Sequence, residues 1–451
     1  MDYLDIIKNS DDAEYHSNLN DTITISFGGV NGRFEFFKSL SVLPTDILLF
    51  RDSKKLWYQN GIDKIATSPV ELVDFIKDFL ETHKYKRVVV VGASAGGYAA
   101  ILFGQLLNAD QVLSFGPQTY ISDDLRAPLN EKRWGAEISR IPNIHYPDLS
   151  KLKIDSSVKS SNVHIFFGGD DFFDFLHAAW LLVIDGVTVS KIPNGDHGVS
   201  GTMKRDGLLQ PSLENAILGL SEPYPGDYLK KSLEGSSFIR GVIKGDEELN
   251  VASICKLVDL FGSTTCLDFA LGKEYIRQHE YAKAADIFKV IAARQEFSNF
   301  VFMSQVELAN CYTKTCNYEQ ADKWYEKALS RKPYSQGVLL SYAKSLLAQN
   351  KSVKAESMLL RCIIHNGNCI GAYYEYAQIL LAKQDRPLAI DCLIKARMLR
   401  RGLFHVDNLL MVAYQLENNR LEMMRLFREL KLDGYNDIQL TRLESYFNFV
   451  K

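Results

Sequence analysis

Cysteine is missing from the first 254 residues of this 451-residue chain. The seven thiols, Cys255, Cys266, Cys311, Cys316, Cys362, Cys369 and Cys392, are odd in number and never spaced C-x-x-C. That pattern excludes a disulfide-stapled secreted scaffold and offers no metal-ligand spacing, so no metal is expected and the thiols read as small apolar groups. A basic excess is absent too. With 52 Lys and Arg against 55 Asp and Glu, the net charge is −3. No sequence-wide electrostatic footprint for nucleic acid follows from such a balance. The N-terminal MDYLDIIKNSDDAEYH is acidic and lacks the basic start and apolar core of a secretory leader. An unbroken membrane-spanning run is lacking as well. Val88–Leu107 has the length, but GASAGG interrupts it, and a strand-turn-helix unit explains it better. A cytoplasmic protein, or one peripheral to the inner membrane, with no transmembrane segment and no nucleic-acid partner, is the expectation.

Two different grammars are present. In residues 1–220, TITISFGG (Thr22–Gly29), TDILLFRD (Thr45–Asp52), RVVVVGAS (Arg87–Ser94), QVLSFGP (Gln111–Pro117), NVHIFFGG (Asn162–Gly169) and VTVSKIP (Val187–Pro193) read as short strands, most of them almost wholly apolar. They alternate with helix-like segments such as PVELVDFIKDFLETHK, a run from about Gly96 to Leu107, and one near Phe175 to Ile184. Such alternation predicts a mostly parallel sheet covered by helices on both faces. Residues 221–267, rich in Pro, Gly and Ser, read as a linker with connecting helices.

From residue 268 to 451 strand signals give way to helical pairs. Ala309, Ala343, Ala377 and Met411 stand 34 residues apart, with Gly272 37 before the first. Ala284, Ala321, Ala355, Ala389 and Met423 follow the same intervals 12 residues later. Small residues on both helices of a hairpin let them approach closely, and this period matches the tetratricopeptide repeat. The unit around Leu308, Ala309, Tyr312, Ala321, Tyr325, Ala328 and Pro333 fits that family's pattern of small, aromatic and turn positions best. The resemblance runs from about Asp268 to Gly434 and implies an all-α solenoid that binds a protein partner.

VVVVGASAGGYAA, Val88 to Ala100, holds the pattern G-x-S-x-G at Gly92, Ser94 and Gly96. A strand before it, a helix after it and small neighbours on both sides are what a serine on a sharp strained turn needs. Two later segments supply partners. NVHIFFGGDDFFDFLHAA runs from a strand into Asp170, Asp171 and Asp174, and VTVSKIPNGDHGVSG runs from the next strand into a loop with His197.

The order serine, acid, histidine, each after a strand, makes residues 1–220 resemble the α/β-hydrolase superfamily of serine esterases and acyltransferases. The resemblance implies Ser94 as nucleophile, His197 as general base and acid, and an aspartate that orients the imidazole. Asp174, which opens a D-x-x-H-A pattern, is favoured over Asp171, with Asp170 third; any of the three would also serve as a helix cap. It further implies oxyanion donors at the Ala95 N–H and near Gly29. The segment 118–161 would form a cap whose Arg126, Lys132, Arg133, Trp134 and Arg140 suit an acidic sugar polymer or the phosphates of a coenzyme A thioester, or a plain solvated helix. Asp52, Trp57 and Tyr58 are candidates to line the pocket, and His177 reads as a packed or partly exposed helix residue.

The opening FGGVNG…RD…WYQNG is similar to hydrolase-like proteins of bacterial capsule and surface-glycan pathways. That likeness implies an acylated small molecule or glycan as substrate. No cofactor is required, and acetyl-CoA would be the acyl donor for a transferase. The alternative is a non-catalytic hydrolase-like scaffold whose repeats mediate protein–protein interaction.

Overall fold

In the computed structural model, which describes residues 2–152, 161–294 and 299–449, the apolar segments of the first part join one mixed sheet. Its eight described strands are β1 (Ala13–His16), β2 (Thr22–Phe27), β3 (Asp46–Phe50), β4 (Arg87–Ala93), β5 (Gln111–Phe115), β6 (Asn162–Gly168), β7 (Val187–Ile192) and β8 (Asp227–Tyr228). Their order is β1-β3-β2-β4-β5-β6-β7-β8. The six inner strands are parallel, whereas β1 and β8 pair antiparallel with β3 and β7 at the edges.

Every residue of β2 and β3 is buried, as strands covered on both faces require. Successive residues face opposite sides. Phe27 stacks on Phe103 of the helix Ala95–Leu106 at 4.9 Å. On the other side Val89, Val91, Leu113 and Phe115 share a core with Leu213 and Ile217 of the helix Leu209–Leu218.

The helix expected near Phe175 starts earlier, at Phe172, because Asp171 accepts the Asp174 N–H at 2.8 Å as its N-cap. Residues 221–267 supply β8 and the helices Leu233–Lys244 and Val251–Phe261. These pack into the first unit: Phe261 meets Phe175 edge-to-face, and Arg240 lies 4.7 Å over the Trp180 ring.

The chain divides into two compact units, Met1–Glu274 and Tyr275–Lys451. The second is helical throughout its described residues. Helix pairs such as Asn299–Lys314 with Tyr318–Arg331 and Gln336–Ala348 with Ser352–His365 are succeeded by Ile370–Ala382 with Arg386–Leu399 and Phe404–Leu416 with Arg420–Leu432. Ala309, Ala321, Ala343, Ala355, Ala377, Ala389, Met411 and Met423, the residues that mark the period, are all buried. The turn inside each hairpin carries one left-handed residue, at His279, Cys316, Asn350, Gln384 and Asn418. In the last pairs Arg397 ties neighbouring helices together through Asp407, Glu429 and Asp433, each at 2.8 Å.

Candidate active site

Ser94 stands between β4 and the helix Ala95–Leu106 with φ 56° and ψ −121°, a conformation that costs a non-glycine residue roughly 1–3 kcal/mol. Surrounding structure enforces it. The Ser94 N–H donates to Phe115 O at 2.9 Å, and its carbonyl accepts from the Tyr98 N–H at 3.0 Å. The flanking glycines are forced by close approach. A Cβ on Gly92 would sit 2.0 Å from Gly96 O, and one on Gly96 would sit 2.1 Å from Phe27 O. Gly96→Ala is therefore expected to destabilise the first unit by about 3 kcal/mol, read as a fall in its thermal unfolding midpoint. An unchanged midpoint would mean that the turn is not held by this packing.

The C-terminal ends of four adjacent parallel strands bring the remaining groups to this turn, the edge where open α/β sheets hold ligands. His197 follows β7, Asp171 and Asp174 follow β6, Gln118 follows β5, and Ser94 follows β4. His197 Nε2 is 2.9 Å from Ser94 Oγ, and His197 Nδ1 is 2.9 and 3.0 Å from the two oxygens of Asp174. Exposure is graded along this line: the Asp174 side chain is 0% exposed and that of His197 25%.

The two aspartates beside His197 are pushed apart in acidity. Burial works to raise Asp174, but the charge and hydrogen bond of His197, together with Arg133, hold it down at about 2. Asp171 is raised, by burial and then by the neighbouring Asp174 charge. Asp174 is thus the ionised partner of the imidazole. Asp171 caps the helix and reaches Arg133 Nη1 at 3.1 Å. Asp170 is buried, and its N–H donates to Gly195 O. For His197, burial pulls the pKa down, and the charge and hydrogen bond of Asp174 outweigh it, leaving it raised.

Ala95 occupies the first position of its helix, so its N–H has no partner one turn back. Gly29 lies beside the turn, where an added Cβ would meet Ala93 O at 3.0 Å. Its N–H is turned to Glu35, whose carboxyl burial pushes above the ordinary range. Of two further groups close to Ser94 and His197, Gln118 was not singled out from sequence, and Arg133 was expected to face a ligand from the cap, not to pair with Asp174. Gln118, 2% exposed, places Nε2 3.5 Å from Ser94 Oγ and 3.4 Å from His197 Nε2. Arg133 places Nη1 2.8 Å from Asp174 Oδ1. A glutamine after a strand carries no motif, and the arginine lies 41 residues before its partner.

Residues 118–152 of the expected cap hold short helical turns and an antiparallel bridge between Tyr120 and Asp148, and 153–160 lie outside the described residues. Two of its basic residues are satisfied internally, not offered to a ligand. Arg126 is buried, and its Nη2 donates to the carbonyls of Glu131 and Arg133. Arg133 is held by carboxylates. Trp134 does reach the site, its ring 6.0 Å from that of His197. Asp52, Trp57 and Tyr58 are buried: Asp52 accepts the Leu56 and Tyr58 N–H groups, and the Tyr58 hydroxyl donates to Gly28 O at 2.7 Å. Asp171, Asp174 and His197 offer ligand atoms within 4.8 Å of one another, but the Arg133 guanidinium already supplies the cation between the two carboxylates.

No protein-family model matches the chain. Over 91 residues it is 32% identical to the TPR repeat-containing protein YpiA of Bacillus subtilis (strain 168), covering 20% of this chain and 21% of that protein. The chain thus spans about a fifth of the length of that curated relative. Among solved structures, MamA aligns with 40% of this chain and 98% of its own, at 16% identity and a TM-score of 0.33. YrrB, described as a TPR protein with an unusual peptide-binding site, aligns with 35% of this chain and 79% of its own, at 16% identity and a TM-score of 0.29. The similarities are to tetratricopeptide-repeat proteins. Among the described residues no helix is long and apolar enough to cross a membrane.

Proposed function

We propose that the chain joins a protein-binding helical repeat to a serine acyl-transfer site, the first unit being an α/β-hydrolase-type esterase or O-acyltransferase. One observation carries the catalytic part: the hydrogen-bonded line from Ser94 Oγ through His197 to a buried, ionised Asp174. His197 Nε2 takes the proton as Ser94 Oγ bonds to the acyl carbon, the carbonyl electrons moving to oxygen near the Ala95 N–H. Collapse breaks the bond to the leaving alcohol or thiol, which receives that proton. Water or a hydroxyl acceptor then releases the acyl group by the same steps in reverse. The substrate we infer is an O-acylated small molecule or glycan, with acetyl-CoA as donor in the transfer case.

A second reading is a scaffold whose repeats bind a partner protein while the first unit is inert. The similarity to YpiA favours it, since repeat proteins are what the chain resembles at 32% identity. The two readings share the repeat and differ at Ser94. Brief incubation with p-nitrophenyl acetate followed by peptide mass analysis separates them. Acetylation of the peptide bearing Ser94, discharged faster when a sugar alcohol is added, supports transfer; discharge indifferent to acceptors supports hydrolysis. Absence of any acyl adduct on Ser94 leaves the scaffold.

A further inference from the structure

Asp174 is fully buried, and its Oδ1 is shared by two donors, His197 Nδ1 at 2.9 Å and Arg133 Nη1 at 2.8 Å. A buried carboxylate needs compensating charge, and an imidazole supplies a full one only when protonated. Arg133 supplies it permanently.

The arginine is itself fixed. Glu131 Oε1 lies 2.9 Å from Nε and 2.8 Å from Nη2, Asp171 Oδ1 lies 3.1 Å from Nη1, and the guanidinium rests 4.9 Å over the Phe173 ring. A planar, delocalised fork held on both edges has no free rotation left.

Glu131 is anchored in turn. It is 6% exposed, and its Oε1 lies 3.4 Å from His177 Nε2. His177 Nδ1 accepts the Thr119 N–H at 3.1 Å, which makes Nε2 the protonated nitrogen and the donor to Glu131. Burial works to raise Glu131, but His177 and the arginine hold it down at about 2. A continuous relay therefore runs from the backbone of Thr119 through His177, Glu131 and Arg133 to the acid.

We propose that Arg133 is a positioning residue of the acyl-transfer site: clamped by Glu131, it fixes the Asp174 carboxylate on His197 and ties residues 131–134 to the nucleophile. This inference rests on the catalytic reading above. Arg133 touches neither Ser94 nor His197 among the described interactions, so it acts through Asp174. The charged groups acting on His197 are Asp174 and Asp171, which favour the imidazolium, and Arg133, which opposes it. Arg133 thus lets Asp174 orient the base without trapping it protonated.

The test uses the full chain, with His197 followed by NMR titration and Ser94 by the rate of fluorophosphonate labelling against pH. Arg133→Gln is expected to move the His197 midpoint to higher pH, carry the acidic limb of labelling the same way, and slow labelling at neutral pH about tenfold or more. Arg133→Lys keeps the charge without the fork, so its limb stays near that of the wild type while labelling is still slowed. A midpoint that stays or falls in Arg133→Gln, or labelling within about twofold of wild type in either variant, overturns the proposal. Where Arg133→Gln does not fold, Arg133→Lys decides alone by its rate. A wild type that never labels at Ser94 sinks the catalytic reading instead, and the NMR midpoints still judge the clamp.

Discussion

Ser94→Ala is expected to abolish fluorophosphonate labelling and to cut ester hydrolysis about a millionfold, an effect only His197→Ala should match. The serine hydroxyl is a weak nucleophile alone, and its activation depends on an adjacent base already in hydrogen-bond reach. Under the proposed mechanism His197 Nε2, at 2.9 Å, is that base, and the strained φ of 56° sets Ser94 on a turn directly before Ala95, the first residue of the following helix. The proposed mechanism has Ser94 and His197 act as a unit, so His197→Ala should lose about as much, and the double variant little more than either. Hydrolysis and labelling that persist in Ser94→Ala within about tenfold of wild type would assign the chemistry elsewhere in the chain. The substitution is mild for the fold, since alanine removes only a hydroxyl that is not buried.

Much of this site is legible in the sequence because its requirements are local. Gly92, Ser94 and Gly96 must be small for steric reasons that act within five residues, and a strand, a turn and a helix announce themselves by composition. His197 sits in a Gly- and Asn-rich loop directly after a strand, so its place at the sheet edge follows from strand order alone. The choice among Asp170, Asp171 and Asp174 is harder. It depends on where one helix begins, and a shift of three residues exchanges the cap and the partner of the imidazole. Gln118 carries no local signal, and the basic character of Arg133 points to a ligand from sequence, whereas its pairing with Asp174 exists only once a segment 41 residues away meets the end of β6.

The same distinction holds for the fold. The six inner strands are apolar runs and can be read directly. β1, with the sequence AEYH, and β8, with DY, are short edge strands whose pairing is decided by neighbours. In the second unit the period was readable from Ala and Met positions, which are buried. The left-handed turn residues repeat as regularly, but as His, Cys, Asn, Gln and Asn. Backbone geometry recurs there while side-chain identity does not, because the turn constrains φ and leaves the exposed side chain free.

Asp174→Asn should lower acyl transfer about 10⁴-fold, whereas Asp171→Asn should cost about tenfold or less. An amide in place of the Asp174 carboxylate cannot accept from both His197 Nδ1–H and Arg133 Nη1–H with the strength of an ionised oxygen, and it stabilises no imidazolium. Asp171 accepts from a backbone N–H and from Arg133, so its amide disturbs a helix cap and one edge of the clamp. The pH dependence separates the two further. With Asp174 held at about 2, that carboxyl stays ionised throughout a neutral assay, so the acidic limb of the wild type belongs to His197 and lies above an ordinary histidine. Removing the Asp174 charge takes away what raises His197, and the limb moves to lower pH as the rate collapses. Stability follows the opposite sign for the two groups. The depressed Asp174 stabilises the fold above the ordinary carboxylate range and loses that contribution as pH falls from about 4 toward 2. The raised His197 contributes below about 6.5 and loses it as pH rises through its folded midpoint. Wild type should therefore lose more stability than Asp174→Asn between about pH 4 and 2, measured by urea unfolding at each pH. Equal acid losses in the two proteins, or a deeper rate defect in Asp171→Asn, would move the triad acid to Asp171.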